Sequence, residues 1–346
     1  MRKPTVAITM GDPAGVGPEV CLRLLQDASV AASVRCVVFG DARVLEECSR
    51  AVGVHFDAPV LRAGESRGGK KAPWSLPQTG GHCVVDWEVF ERDGFAPGVV
   101  SAQTGAAAFF YVERGIEAAL DGRVDAIATA PIHKEALYAA GIRFPGHTEI
   151  FAARTGAEKA CMFQYSDEVR ASFVTTHVGY AEVPALLTRE RIVDVIALTA
   201  DAMRRIRGSE PRMVVLGLNP HAGEHGLFGA GEEERLIAPA VEEAKRRGYS
   251  VEGPIPPDTA FIPAKRRSTD AFVCMYHDQG HIPLKALAFD SAVNTTLGLP
   301  IVRTSVDHGT ACDIAWTGKA HPGSLIAAVH LAARLSRTPG NPQTVF

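Results

Sequence analysis

The sequence predicts an α/β protein built on a mainly parallel sheet with helices on both faces. Two observations carry this. Short apolar runs rich in Val, Ile and Ala alternate with longer segments of helical period, the order of βαβ units. Those runs are continuously apolar, so both faces of the sheet are expected to be covered. Strands are predicted at Val6–Met10, Val34–Phe39, Val124–Thr129, Ala160–Gln164, Ala171–Thr176, Met213–Leu218, Ala271–Tyr276 and near Pro300–Thr304. Helices are predicted at Pro18–Asp27, Ala42–Val52, Ala102–Leu120, Thr188–Arg207, Glu232–Arg247 and Gly323–Leu335. Ser101 is the expected N-cap of the Ala102 helix. Residues Arg62–Thr79 are polar and rich in Gly and Pro, an expected exposed insertion. Within it Gly64-x4-Gly69-Lys70-Lys71 lacks the final Ser/Thr of a P-loop, and Pro73 blocks the helix that should follow.

Composition narrows the class. A chain of 346 residues has room for about two domains and needs no disulfide or metal staple to fold. Hydrophobic residues at 46% and charged residues at 22% are ordinary for a globular protein. Lys plus Arg number 36 against 39 Asp plus Glu, so the basic excess of a nucleic-acid binder is missing. No apolar run approaches the roughly 18 residues needed to span a bilayer, and no signal-peptide core follows Met1. Neither a nucleic acid nor a membrane is an expected partner. The seven cysteines are scattered without a C-x-x-C, as small buried hydrophobes in a reducing cytoplasm would be.

Chemistry collects just after the strands, where open α/β sheets bind ligands. His177, His221 and His277 each end or closely follow an apolar strand. Three imidazoles from separate strands suit a divalent metal with open positions for substrate. The i, i+4 pairs His221/His225 and His277/His281 are read as loop histidines, because Gly223 interrupts the first and Gly280 and Pro283 crowd the second. His147, Thr148, Lys285, Asn294 and Arg303 lie near strand ends or helix starts and suit an anion. Lys285 and Arg303 sit inside apolar runs, where a charge needs a partner. Asp258 reads equally as a helix cap or as a polar contact at the metal. Gly11-x3-Gly15-x-Gly17 reads equally as an anion cradle or as a tight turn.

The segments GDPAGVGPE (11–19), PIHKEAL (131–137), PGHTE (145–149), TTH (175–177), LNPHAGE (218–224), DT (258–259), YHDQGHIPLK (276–285), VNTTLGLP (293–300) and RTSVDHGTA (303–311) resemble the 4-hydroxythreonine-4-phosphate dehydrogenase family nearly end to end. The resemblance implies two α/β/α domains with a cleft between them, like isocitrate and isopropylmalate dehydrogenases. One domain would comprise 1–130 plus 295–346 with the cofactor segment, the other 131–294 with the metal and substrate residues. It implies a homodimer with shared active sites, NAD or NADP, and one divalent ion (Zn, Co, Mn, Mg or Ni). Metal ligands fall on His177, His221 and His277; substrate contacts fall on His147, Thr148, Lys285, Asn294 and Arg303. Asp258 matches an acidic residue reaching the metal from the neighbouring subunit, and residues 308–322, with His308, Gly309, Thr310 and Asp313, resemble a segment that holds the adenosine of NAD. The implied substrate is a small phosphorylated 3-hydroxy acid, oxidised to a β-keto acid that decarboxylates; Asp258, Lys285 or a water would accept the hydroxyl proton. The family pattern is broken at Phe289–Asn294 and after His177, which bears on substrate identity. The GDPAGVGPE and GHIPLK forms are similar to a branch oxidising D-threonate or D-erythronate 4-phosphate; a cis-diol carboxylate dehydrogenase, a metal-dependent hydrolase or lyase, and a silent binding protein are the other readings.

Overall fold

Runs such as Val6-Ala7-Ile8 and Cys36-Val37-Val38-Phe39 are buried along their whole length, which makes them interior strands rather than half-exposed ones. A computed structural model describes residues 2–63, 76, 80–90, 95–288 and 292–336. Most of the predicted insertion at 62–79, and the first three residues of the broken pattern at 289–294, lie outside the described residues. The chain begins β1 (Thr5–Thr9), α1 (Gly17–Leu25), α2 (Ala28–Ser33), β2 (Arg35–Gly40), α3 (Ala42–Val52), β3 (Val60–Arg62) and β4 (Cys83–Asp86). It continues with α4 (Ala102–Leu120), β5 (Ala126–Thr129), α5 (Lys134–Ala139), α6 (His147–Thr155), β6 (Cys161–Tyr165) and β7 (Arg170–Phe173). Next come α7 (Val183–Leu186), α8 (Arg189–Arg207), β8 (Met213–Leu216), α9 (Ala238–Arg246), β9 (Val251–Ile255), α10 (Pro257–Ala260) and α11 (Pro263–Ser268). The last are β10 (Ala271–Cys274), α12 (His277–Ala288), β11 (Val293–Leu297), β12 (Arg303–Val306) and α13 (Gly323–Ser336).

Two compact units result, 1–157 with 299–346, and 158–298. The first boundary therefore falls at 157/158 rather than at the expected 130/131, because α5 and α6 pack on α4 and stay with the first unit. His147 and Thr148 move with them.

In the first unit the strands run β3-β4-β2-β1-β5-β12, every neighbouring pair parallel. Successive strand residues face opposite ways, and that assigns the covering helices. Gly115 of α4 lies against Thr9 and Ile127. Thr304, the register partner of Ala128, donates to the Ala328 carbonyl of α13 at 2.9 Å. Helices α4 and α13 thus cover opposite faces, as the apolar strands require. Ser101 caps α4 as expected, accepting from Thr104 N at 3.2 Å.

In the second unit the order is β11-β6-β7-β10-β8-β9. Here β11–β6 and β6–β7 are antiparallel and the remaining pairs parallel. Thr199 of α8 bonds Ser172 Oγ at 2.7 Å on one face; Gly280 of α12 sits against Phe173 and Cys274 on the other. All seven cysteines are free and six are buried. Burial pushes the Cys21, Cys36 and Cys274 thiols up, so they pack as hydrophobes.

Candidate active site

The strands β7, β10 and β8 are parallel neighbours in the second unit, so the segments leaving them open on one sheet edge. His177 follows β7, His277 follows β10 and His221 follows β8. Asp258 follows β9, the next parallel strand, on the short helix α10 that packs against the turn carrying His221. Asp258 is exposed in the first turn of that helix, whose N-cap position belongs to Pro256.

The structure brings His177 and His277 together, with ring centroids 5.7 Å apart. His277 Nδ1 donates to Asp278 Oδ1 at 2.7 Å, which fixes the tautomer and leaves Nε2 as the free donor atom. Asp278 also accepts from the Tyr180 hydroxyl; Tyr180 first, and then His277, hold its carboxyl below the usual range. The loop reading of His277 and His281 is overturned. Helix α12 starts at His277 and continues through Gly280 and Pro283, so the two imidazoles stack at 3.7 Å with 8° between planes. His281 lies in turn on Phe173 at 4.6 Å. The first turn is held from outside the helix: Gln279 accepts from Met275 N and donates to Gly217 O, both at 2.7 Å. His281 Nδ1 donates to His277 O at 3.0 Å, and its Nε2 accepts from Gln164 at 3.2 Å.

His221 stands in a left-handed turn, its ring 6.2 Å from Phe228. Among the described residues, no group of three His, Cys, Asp or Glu side chains converges within the chain as a metal cage. The donor set fits a divalent cation in kind: imidazoles that follow adjacent strands, one of them anchored by a carboxylate.

The residues expected to hold an anion fall in both units. In the second unit Asn294 on β11 is in register with Gln164, and its buried Oδ1 has no hydrogen-bond partner among the described residues. Lys285 lies on the exposed face of α12 beside exposed Ile282 and Leu287; its apolar run is an exposed helix edge, not the buried segment expected. In the first unit Arg303 is 1% exposed. It donates to Thr129 Oγ1 at 2.9 Å and lies 5.3 Å over the Phe151 ring. Burial pulls its guanidinium down to about 9. His147, at the start of α6 with Thr148, has a sealed Nε2 without a partner among the described residues. Burial and then the Arg303 charge push its imidazole well below the usual range, so it is neutral near pH 7.

The glycine-rich segment 11–17 reads as a turn rather than an anion cradle, because four of its amides are already used. Asp12 N donates to Pro131 O, Gly15 N to Asp12 O and Val16 N to Thr310 O, and Ala14 N to Asp12 Oδ1. A Cβ on Gly17 would lie 2.1 Å from Met10 O. The segment grips residues 308–322 instead. Trp316 donates to Pro13 O at 3.2 Å. Fully buried Glu19 accepts from Gly318 N and Ala320 N at 3.2 and 3.0 Å and pairs with Arg23 at 3.3 Å. His308, Gly309 and Asp313 stay exposed along this anchored loop, and Thr310 is buried against Gly15. Glu19→Ala is expected to cost about 3 kcal/mol, since two amides and a guanidinium lose a buried acceptor. Urea unfolding checks this: the midpoint falls while the slope holds.

Reading the sequence missed Tyr180, Asp278 and Gln164, although Asp278 stands next to a histidine already singled out, and it misread His281 as a loop residue. It also missed Glu232 and Glu233, which look like a solvated acidic run and are 6% and 2% exposed.

Comparison with protein families matches residues 32–332 to "Pyridoxal phosphate biosynthetic protein PdxA". The chain is 44% identical to the 4-hydroxythreonine-4-phosphate dehydrogenase of Desulforapulum autotrophicum, covering 96% of this chain and 95% of that one. It is 43% identical to the D-threonate 4-phosphate dehydrogenase of Cupriavidus necator, covering 96% and 97%. The crystal structure of 4-hydroxythreonine-4-phosphate dehydrogenase from Klebsiella pneumoniae superposes with a TM-score of 0.81 at 40% identity, covering 97% of this chain and all of that one.

Proposed function

The chain belongs to the PdxA family, and from that premise we propose that it is an NAD(P)- and metal-dependent dehydrogenase of a phosphorylated 3-hydroxy acid. The substrate read here is 4-hydroxythreonine 4-phosphate, oxidised to a β-keto acid that then loses carbon dioxide. The observation that carries the reading is the alignment of His177, His277, His221 and Asp258 after four parallel strands of one sheet. The next reading, a D-threonate 4-phosphate dehydrogenase, is favoured by the segment after His177, Val178-Gly179-Tyr180-Ala181-Glu182, which departs from the family pattern beside the proposed metal ligands.

His177, His221 and His277 would hold the ion, and residues His308 to Asp313 the cofactor. When bound, the ion supplies Lewis acidity favouring the alkoxide, and the nicotinamide accepts hydride. The remaining work falls to side chains. Arg303, aligned by Thr129, presents a fixed positive charge to the substrate's anionic groups. His147 and Thr148 donate as neutral groups, and Asn294 and Lys285 add an amide and a second cation. Asp258, which is exposed, or a water would accept the hydroxyl proton.

A homodimer with shared sites is part of this reading. Large apolar side chains lie exposed beside each metal-ligand segment: Tyr180 at 67%, Leu227 at 70% and Ile282 at 67%. Such surface suits a second copy of the chain. The free cysteines suit a cytoplasmic enzyme.

A panel of phosphorylated hydroxy acids, assayed with NAD and NADP by absorbance of the reduced cofactor, tests the proposal. Reduction with 4-hydroxythreonine 4-phosphate, abolished by chelator and restored by zinc or cobalt, is expected. Faster turnover of D-threonate 4-phosphate would select the second reading, and product without cofactor reduction would replace both with a hydrolase or lyase.

A further inference from the structure

The turn that bears His221 is built in a conformation that L-residues avoid. His221, Ala222, Gly223, Glu224 and His225 have φ of 53°, 52°, 79°, 41° and 58°. Four of these five are not glycine, and a consecutive left-handed run of this kind persists only where its surroundings impose it. The imposing group is a pair of buried carboxylates. Glu233 Oε1 accepts from Leu218 N at 2.8 Å and from Asn219 N at 2.7 Å, the two amides entering the turn. Its Oε2 accepts from Asn219 Nδ2 at 2.9 Å. Glu232 takes the same amide group at 2.9 Å and Ala230 N at 2.8 Å. The fit is close on the other side too. A Cβ on Gly223 would lie 2.8 Å from Glu233 Oε2, and one on Gly217 would lie 2.7 Å from Ala222 Cα. Glu233 opens a single π-helical turn, Glu233–Ile237, ahead of α9, a local irregularity common beside functional sites.

We infer that Glu233, with Glu232 sharing its hold on Asn219, is a positioning residue for His221. It fixes the left-handed turn that presents this imidazole, and it touches neither metal nor substrate. The inference rests on the reading of His221 as a metal ligand.

The test uses the full chain, stripped of metal and titrated with cobalt(II) chloride, following the visible absorption of the bound ion and its dissociation constant. Glu233→Gln keeps the shape but sets an NH2 against donors on one side or the other. It is expected to weaken cobalt binding by about 10- to 100-fold and to change the absorption bands. Glu234→Gln, at an exposed neighbour in the same acidic run, is expected to bind as wild type does. Should Glu233→Gln not fold, Asn219→Ala removes the side chain both carboxylates hold and carries the same expectation. Unchanged cobalt affinity and spectrum in the variant overturn the inference, and so does a lowered melting temperature with an unchanged spectrum, which would make Glu233 structural only. Wild-type protein that binds no cobalt would instead overturn the metal reading, and the inference with it.

Discussion

His277→Ala is expected to lower kcat/KM for cofactor reduction by about 10³-fold or more, with the fold intact. Its Nδ1 is committed to Asp278, so Nε2 is aimed by a carboxylate, and no neighbouring side chain can take over that direction. His281 is the nearest imidazole, yet both its nitrogens are engaged, with His277 O and Gln164. The ring is only half-buried, so the stability lost should stay within about 1 kcal/mol. Steady-state assays at saturating zinc, paired with thermal melts, check this. Turnover near wild type would remove His277 from the metal site; a collapsed melt would show that its stacking on His281 is structural.

Arg303→Met should act on affinity. The guanidinium is buried, bonded to Thr129 and set over Phe151, so an anion meeting it has little water to compete with. Losing it is expected to raise KM for the phosphorylated substrate about 100-fold, equivalent to about 2.7 kcal/mol. The melting temperature should fall as well, because the Glu149 carboxylate loses the positive charge that faces it. A KM indifferent to the substitution would remove Arg303 from the substrate site.

How much of this was legible in the sequence differs by feature. Helices α3 and α4 have the bounds that periodicity predicted, Ala42–Val52 and Ala102–Leu120, because long amphipathic patterns repeat the same information at every turn. Helix α12 was hidden because Gly280 and Pro283 are local breakers, while the bonds that override them come from Gln279 and the distant Gly217. Strand β11 and its antiparallel pairing with β6 were hidden as well, since Val-Asn-Thr-Thr-Leu has no apolar run to mark it. The histidines stood out because each interrupts an apolar strand end. The residues that aim them did not: Glu233 differs from a surface glutamate only through amides at 218 and 219, which reach it by folding.

The first unit is assembled from both ends of the chain, 1–157 and 299–346, whereas the second is one contiguous stretch. During synthesis the second can complete its sheet as soon as β11 leaves the ribosome. The first must wait, its β5 edge open, until β12 and α13 are delivered. Arg303 and the loop gripped by Glu19 ride on that final portion. A nascent polypeptide stalled before residue 299 would therefore carry all three proposed metal-binding imidazoles but neither the arginine proposed for the anion nor the loop proposed for the dinucleotide.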